Sequence, residues 1–279
     1  MTEPIDVRQP DLATAWLDTI LAVAAKPQHR AFHTVTRIDS AGADGHDRIY
    51  RAADDLLTEF GLQSVSTVAN TIFPVSMVAT SPDPVALGQR YEAIYPELRR
   101  LAPGANRDGT YFLRLVAYPG PAGTVNQLAR VIAIISRELD SARPKRARYE
   151  ATVEIPVAES GGPDGGPDEV AGPPPEDSVG VPIFEPRRDT SAMGFPCLSF
   201  LSFQHDTESL HTVAHYRSQY VMERGLGNYL GIARLHRYVA GRCGLRTGIL
   251  TVVAGQAHAD KLRRDHVGAL QNLRDDLTR

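Results

Sequence analysis

The chain has 279 residues, 42% of them apolar, with 23% charged residues and a formal net charge of −3. That suffices for a buried core and gives no reason to expect a membrane surface or polymeric nucleic acid as partner. No apolar stretch reaches the roughly 20 residues that a membrane-spanning helix needs.

The N-terminal Met1-Thr2-Glu3-Pro4 is polar and acidic, unlike a secretory signal. Asp11 to Ala25 carries Leu12, Trp16, Ile20 and Val23 at helical spacing. Arg30 to Asp39, with Phe32, Val35 and Ile38, reads as a strand or an irregular edge. Asp47 to Phe60 sets Ile49, Ala53, Leu56, Leu57 and Phe60 on one helix face. Ser64 to Phe73 reads as a helix stopped by Pro74, and Pro84 to Leu101 as another, with Tyr91, Ile94 and Leu98. Thr110 to Ala117 is strand-like, and Thr124 to Glu138 is an amphipathic helix with Leu128, Val131, Ile132 and Ile135 on one face. Arg148 to Val157 alternates as Tyr149, Ala151, Val153 and Ile155, a strand signal.

From about Glu159 to Arg187 the sequence is acidic, rich in Gly and Pro, and poor in apolar residues until Val181-Pro182-Ile183-Phe184. Such a stretch buries too little surface to offset its ordering entropy, so a disordered surface insertion is expected at about 159–187. Cys197 to Gln204 and Leu210 to Ser218 read as a hairpin turning near Asp206-Thr207-Glu208. Asn228 to Cys243 presents Tyr229, Ile232, Ala233, His236, Val239 and Cys243 at three- and four-residue steps, a buried helix. Ile249 to Ala254 is an apolar strand, and Asp260 to Leu277 a charged terminal helix. There is no internal repeat, and residues 1–279 read as a single domain.

The two cysteines, Cys197 and Cys243, are far apart in sequence, so a disulfide framework is not expected and a reducing cytoplasm is the default. No Cys/His cluster has zinc-site spacing, and no metal is expected. Cys243 falls on the apolar helix face and reads as core. Gly225, Gly227 and Gly231 lack the spacing and the preceding strand of a dinucleotide motif.

An ordered set of chemically capable residues begins at Pro196-Cys197. Arg217-Ser218 follows 20 residues after the cysteine, Asn228 follows 31 after it, and Gly255-Gln256-Ala257-His258 ends 61 after it. A thiolate is a strong nucleophile that needs help to ionise near neutral pH. Arg217, at the end of the next strand, is expected to come near it, to lower the thiol pKa, and to grip a phosphate through paired hydrogen bonds. Ser218, of opposite strand parity, needs the chain to turn there. Asn228 at a helix start either caps the helix or reads a base edge that both donates and accepts. His258 follows Gly255 and Ala257, small enough for a ligand to approach the backbone. Taken singly, Cys197 also fits a buried small side chain, Arg217 a surface ion pair and His258 a hydrogen-bonded turn residue.

Together these residues resemble thymidylate synthase. In that family a Pro-Cys nucleophile precedes an Arg-Ser phosphate pair, then an Asn at a helix start and a Gly-Gly-Asp-x-His segment. The intervals match Cys197, Arg217, Ser218, Asn228 and His258 without a gap, over a stretch from Pro196 to about Lys261. Gly109-Thr110-Tyr111 and Asn126-Gln127-Leu128 resemble two earlier family segments. Lys145-Arg146-Ala147-Arg148 occupies the place of an Arg pair that reaches across a dimer to the neighbour's phosphate. The sequence departs from the family at Leu198, Tyr216, Tyr220, Gln256 and Asp260. Asn70 aligns where a catalytic Glu is usual. After one terminal helix the sequence stops at Arg279, without the family's stretch that closes over folate.

The resemblance implies an α+β fold, a mixed sheet with helices packed on one face and a homodimer through the other. It implies Cys197 as catalytic nucleophile, with a one-carbon unit (methyl or hydroxymethyl) transferred to C5 of a pyrimidine nucleotide such as dUMP, dCMP, UMP or CMP. Arg217, Ser218, Asn228, His258, Arg146 and Arg148 would hold the nucleotide; Tyr111, Asn70, Tyr220 and Gln256 would line the pocket. The donor would be 5,10-methylenetetrahydrofolate. Two rival readings stand beside it: a catalytically inactive relative that binds or senses pyrimidine nucleotides, and a folate-free Cys-dependent reaction on a modified base.

Overall fold

Arg246–His258, the longest strand among the described residues, is paired on both sides and organises the sheet. A computed structural model of the chain describes residues 4–81, 83–106, 109–120, 123–141, 180–183 and 196–279. In chain order the elements are β1 (Asp6–Gln9), α1 (Leu12–Ala24), β2 (Arg30–Ile38), α2 (Asp47–Glu59), α3 (Val65–Ile72), α4 (Val75–Val78), α5 (Pro84–Leu101) and α6 (Pro103–Asn106). Then come α7 (Tyr111–Val116), β3 (Tyr118–Gly120), β4 (Gly123–Val125), α8 (Gln127–Leu139), β5 (Gly180–Pro182), β6 (Leu198–His205), β7 (Ser209–Tyr216) and β8 (Gln219–Tyr220). A π-helical turn at Val221–Gly225 leads into α9 (Leu226–Arg242), followed by β9 (Arg246–His258) and α10 (Arg264–Leu277).

The large sheet runs β1-β2-β9-β7-β6-β5, with β8 also on β9, while β3 and β4 form a separate pair. It is mixed: β2 is antiparallel to β9, and β7 and β8 are parallel to it. Thr36, Val252, Ala214 and Leu201 form one row across four strands, all buried. The next row, on the opposite face, is Val35, Val253, His215 and Phe200, all at least partly exposed. Alternation along each strand thus separates a core face from an open one. Exposed Val213 and Phe32 add apolar surface to this sheet, at 38% and 62% exposure. The α+β class is as expected.

Helices α1 and α9 cover the core face. Asp11 caps α1 by accepting from the Thr14 N–H at 2.9 Å, and the helix buries Leu12, Trp16, Leu17, Ile20 and Val23. Helix α9 is buried along most of its length because α3 crosses its outer side. Gly227 and Gly231 make that approach possible. A Cβ on Gly227 would lie 2.6 Å from Val68 Cβ, and one on Gly231 2.8 Å from Ile72 Cβ. The glycine spacing therefore serves helix packing. Three polar contacts join the layers: Thr19 Oγ1 with Thr36 Oγ1 at 2.8 Å, Tyr229 Oη donating to Thr36 Oγ1 at 3.1 Å, and His236 Nδ1 with Thr212 Oγ1 at 2.9 Å. No helix among the described residues is long and apolar enough to cross a membrane.

Four expectations change. Thr110 to Ala117 is helix α7, not a strand: Thr110 Oγ1 accepts from the Leu113 N–H at 3.1 Å, and Phe112, Leu115 and Val116 are buried at helical spacing. Gly180–Pro182, within the expected disordered insertion, pairs antiparallel with β6, and the Ile183 N–H bonds the Ser199 carbonyl at 2.9 Å. An apolar run beside an open sheet edge gains ladder bonds that composition does not weigh. Most of the insertion, like the expected strand at 148–157, lies outside the described residues. Cys243 is half-buried at the end of α9 rather than fully in the core. The strand read at 249–254 extends to His258, which carries the sheet into the candidate site.

Candidate functional site

Three strand ends meet where the sequence places its chemistry. Leu198 is in register with Tyr216, and Tyr216 with Ala254, so Cys197, Arg217 and Gly255 follow one another across β6, β7 and β9. Backbone bonds stitch them together: the Arg217 N–H donates to the Cys197 carbonyl at 2.9 Å, and the Gln256 N–H to the Arg217 carbonyl at 3.2 Å. A Cβ on Gly255 would sit 3.0 Å from that carbonyl. Its lack of a side chain thus serves strand approach here. The chain bends at Arg217-Ser218 and resumes as β8, which is the turn that Ser218 requires.

The Cys197 thiol is half-buried. Burial pushes it above the ordinary value, and the charges of Arg217 and Arg224 pull against that. The expected lowering by Arg217 is present, but burial outweighs it. Tyr111, at the start of α7, lies against this thiol. Burial and the neighbouring cysteine drive its hydroxyl pKa up, opposed by backbone hydrogen bonds from Leu198 and Cys197. Tyr216 lies beneath, fully buried, with its hydroxyl near Tyr111, Tyr229 and Cys197 and raised well above its usual pKa by burial. That hydroxyl has no hydrogen-bond partner among the described residues, and neither does the Gln219 side-chain nitrogen. The unpaired Tyr216 hydroxyl near the thiol suits a polar ligand.

At the far end of β9, Tyr220 is in register with His258, and their rings stack at 4.9 Å and 22°. His258 is buried, and its Nδ1 makes no hydrogen bond. Burial is the main cause that lowers its pKa, while Asp260 raises it. Gln256 is half-buried on β9.

Asn228 does not start its helix. The π-helical turn feeds directly into α9, Gly225 stands at the cap position without a side-chain cap bond, and Asn228 is buried in the first turn. This removes the capping role and leaves its carboxamide on the helix end nearest β8. Asn70 is exposed on α3 and accepts from Arg234 at 3.1 Å, six residues further along α9 than Asn228. That contact holds it at the α3–α9 seam, apart from the thiol cluster. Arg146 and Arg148 lie outside the described residues. Sequence reasoning missed Arg224, which the π-helical turn brings close enough to act on the thiol and which also donates to Gln63 Oε1 at 2.9 Å. Its one local signal, a π-turn beside a functional site, is invisible in periodicity. Among the described residues no group of three His, Cys, Asp or Glu side chains could hold a metal ion.

No protein-family model matches the chain. Over 76 residues, 27% of this chain, the sequence is 41% identical to a Methanopyrus kandleri protein named "Putative thymidylate synthase". The similarity is of thymidylate synthase kind. It spans 36% of that relative's length, so it covers about a third of the curated protein it matches.

Proposed function

We propose that this chain binds a pyrimidine nucleotide monophosphate and activates its C5 through a covalent Cys197 adduct, so that a one-carbon unit is transferred there. The observation that carries the reading is the Cys197–Arg217–Gly255 row, with Arg217 bonded to the cysteine's own carbonyl. The partial identity to a protein named as a thymidylate synthase supports it.

In this reading Arg217 and Ser218 grip the phosphate, Asn228 orients the base, and His258 stands at the sugar end. The Cys197 thiolate forms a bond to C6. The C5–C6 π electrons move to C5 and onto the base carbonyl, making C5 the nucleophile. C5 then bonds to the carbon of a formaldehyde-level donor, whose C=O π electrons pass to its oxygen, which takes up a proton. A base removes the C5 proton and the thiolate leaves from C6, restoring the ring double bond in a hydroxymethyl product, whereas a methyl product needs a hydride donor as well. The residues present do not fit a folate as in the family resemblance. Tyr220, stacked on His258, stands where that resemblance has an Asp tied to folate handling. No step here runs through 5,10-methylenetetrahydrofolate.

A homodimer through the open sheet face belongs to the same proposal, with Arg146 and Arg148 reaching the neighbouring copy's phosphate. The exposed Val213 and Phe32 support it. Sedimentation equilibrium measures it. A cytoplasmic location is proposed on the same footing.

One observation favours a second reading, a nucleotide-binding protein without catalysis: the thiol is raised by burial despite two nearby guanidinium groups. Calorimetry with dUMP, dCMP, UMP and CMP tests both readings, and no affinity for any of them removes both. Tritium release from a C5-labelled nucleotide, with and without methylene-folate, separates them. Release that is abolished in Cys197→Ser supports the enzyme; binding without release supports the binder.

A further inference from the structure

Where β9 ends, three side chains from three parts of the chain close around one imidazole. His258 is 7% exposed, paired in register with Arg30 on one side and Tyr220 on the other. The Tyr220 ring covers one face of the imidazole. Nδ1 is buried without a hydrogen bond, and the nearest acid is Asp260, whose Oδ2 lies 3.7 Å away. That gap is too long for a hydrogen bond and short enough for a side-chain rotation to close. Arg30 holds the carboxylate from its outer side, Nε to Oδ1 at 3.3 Å and Nη2 to Oδ2 at 3.1 Å. The backbone turn carrying Asp260 is tied down by the Ala259 N–H bonding the His29 carbonyl at 2.9 Å. Next in sequence, Lys261 is already paired with Glu223 at 3.0 Å. His29 bears on Asp260 as well, and among the described residues Asp260, Arg30 and Tyr220 are the titratable or charged groups that face the ring.

A buried ring nitrogen without a partner needs an explanation. We propose that Asp260 is the positioning residue of a carboxylate–imidazole dyad in which His258, protonated at Nδ1 toward Asp260, takes up a proton at Nε2 from a ligand or water at this end of the sheet. The logic is that of an oriented imidazole. A carboxylate facing Nδ1 fixes the tautomer, makes Nε2 the acceptor, and offsets the charge of the imidazolium once the proton arrives. One proton leaves the ligand or water and bonds to Nε2; Asp260 stays ionised, as its Arg30 pair favours. Burial and Arg30 weaken the base, whereas Asp260 strengthens it. The dyad deepens the proposed nucleotide chemistry and rests on that reading for its substrate. It supplies an acid–base group that Asn70, engaged with Arg234, does not.

Long-range proton–nitrogen NMR of imidazole-labelled protein, with the His258 signals assigned from His258→Gln, tests the dyad without any substrate. The expected wild-type tautomer carries its proton on Nδ1. In Asp260→Asn the Nδ1 population falls and the titration midpoint drops by about half a unit or more, while Asp260→Glu restores both. A wild-type Nε2–H tautomer, or an unchanged tautomer and midpoint in Asp260→Asn, overturns the proposal. Where turnover is measurable, Asp260→Asn lowers kcat with little change in KM, and a matching fall in nucleotide affinity alone overturns the catalytic role. Failure of the nucleotide panel bears on the proposed function; the tautomer bears on the dyad.

Discussion

Arg217 donates its backbone N–H to the carbonyl of Cys197 at 2.9 Å, so a guanidinium and a thiol 20 residues apart become neighbours. They stand side by side because β6 and β7 form a hairpin whose register pairs Leu198 with Tyr216. Losing that cation should make the thiol harder to ionise, since burial already raises it. Arg217→Gln, on a Cys243→Ser background, is expected to slow iodoacetamide alkylation of Cys197 at pH 8 and to move the alkylation profile upward. Equal profiles for the two proteins would show that the guanidinium does not act on the thiol.

Trp16 joins the first helix to the site. Its indole nitrogen donates to the Val221 carbonyl at 2.8 Å, at the start of the π-helical turn that carries Arg224. Trp16→Phe leaves that buried carbonyl without its donor and is expected to cost about 1–2 kcal/mol, read as a lower urea midpoint. Because Trp16 is the only tryptophan, a nucleotide bound beside β8 should also change the intrinsic fluorescence. A midpoint equal to wild type would mean that the turn holds its shape without the indole.

Close packing of α3 on α9 is testable at Gly231. The added Cβ of Gly231→Ala would lie 2.8 Å from Ile72 Cβ and 2.9 Å from the Ala69 carbonyl oxygen. The helices must separate, at a cost of about 1–3 kcal/mol. Thermal unfolding measures it, and Gly241→Ala, whose Cβ meets nothing within 4 Å, is the control. Equal losses in both variants would remove packing as the cause.

His236 makes stability depend on pH. It is fully buried, and burial, with help from His211 and Arg237, lowers its pKa from 6.5 to about 4. Between those values the unfolded chain binds a proton that the folded chain refuses. Stability from this group is therefore complete above pH 6.5 and is lost as pH falls toward 4, by about 3 kcal/mol at most. Urea unfolding at pH 7 and pH 4.5 should show the loss, and His236→Gln should flatten it. A variant with the wild-type pH slope would assign the effect to another group.

Much of the architecture was legible locally. The amphipathic helices α1, α2 and α9 and the β6–β7 hairpin follow from apolar spacing and turn residues, because side chains two to four positions apart encode those patterns. Thr110 to Ala117 misled because a short apolar run fits either period, and the Thr110 cap decided it. Gly180–Pro182 misled because composition carries no information about a sheet edge elsewhere. Neither Arg224 beside the thiol nor Asn228 inside its helix could be read, since both depend on the π-helical turn.

What the sequence determined by itself is the order and spacing of Cys197, Arg217, Ser218, Asn228 and His258. Only the tertiary structure decided which of them are neighbours. The parallel pairing of β7 and β8 with β9 puts Gly255 against Arg217 and Tyr220 against His258, across about 40 residues of chain. Such pairings form where strands buried by α1 and α9 find a common register, a condition set by the whole core and written in no local segment.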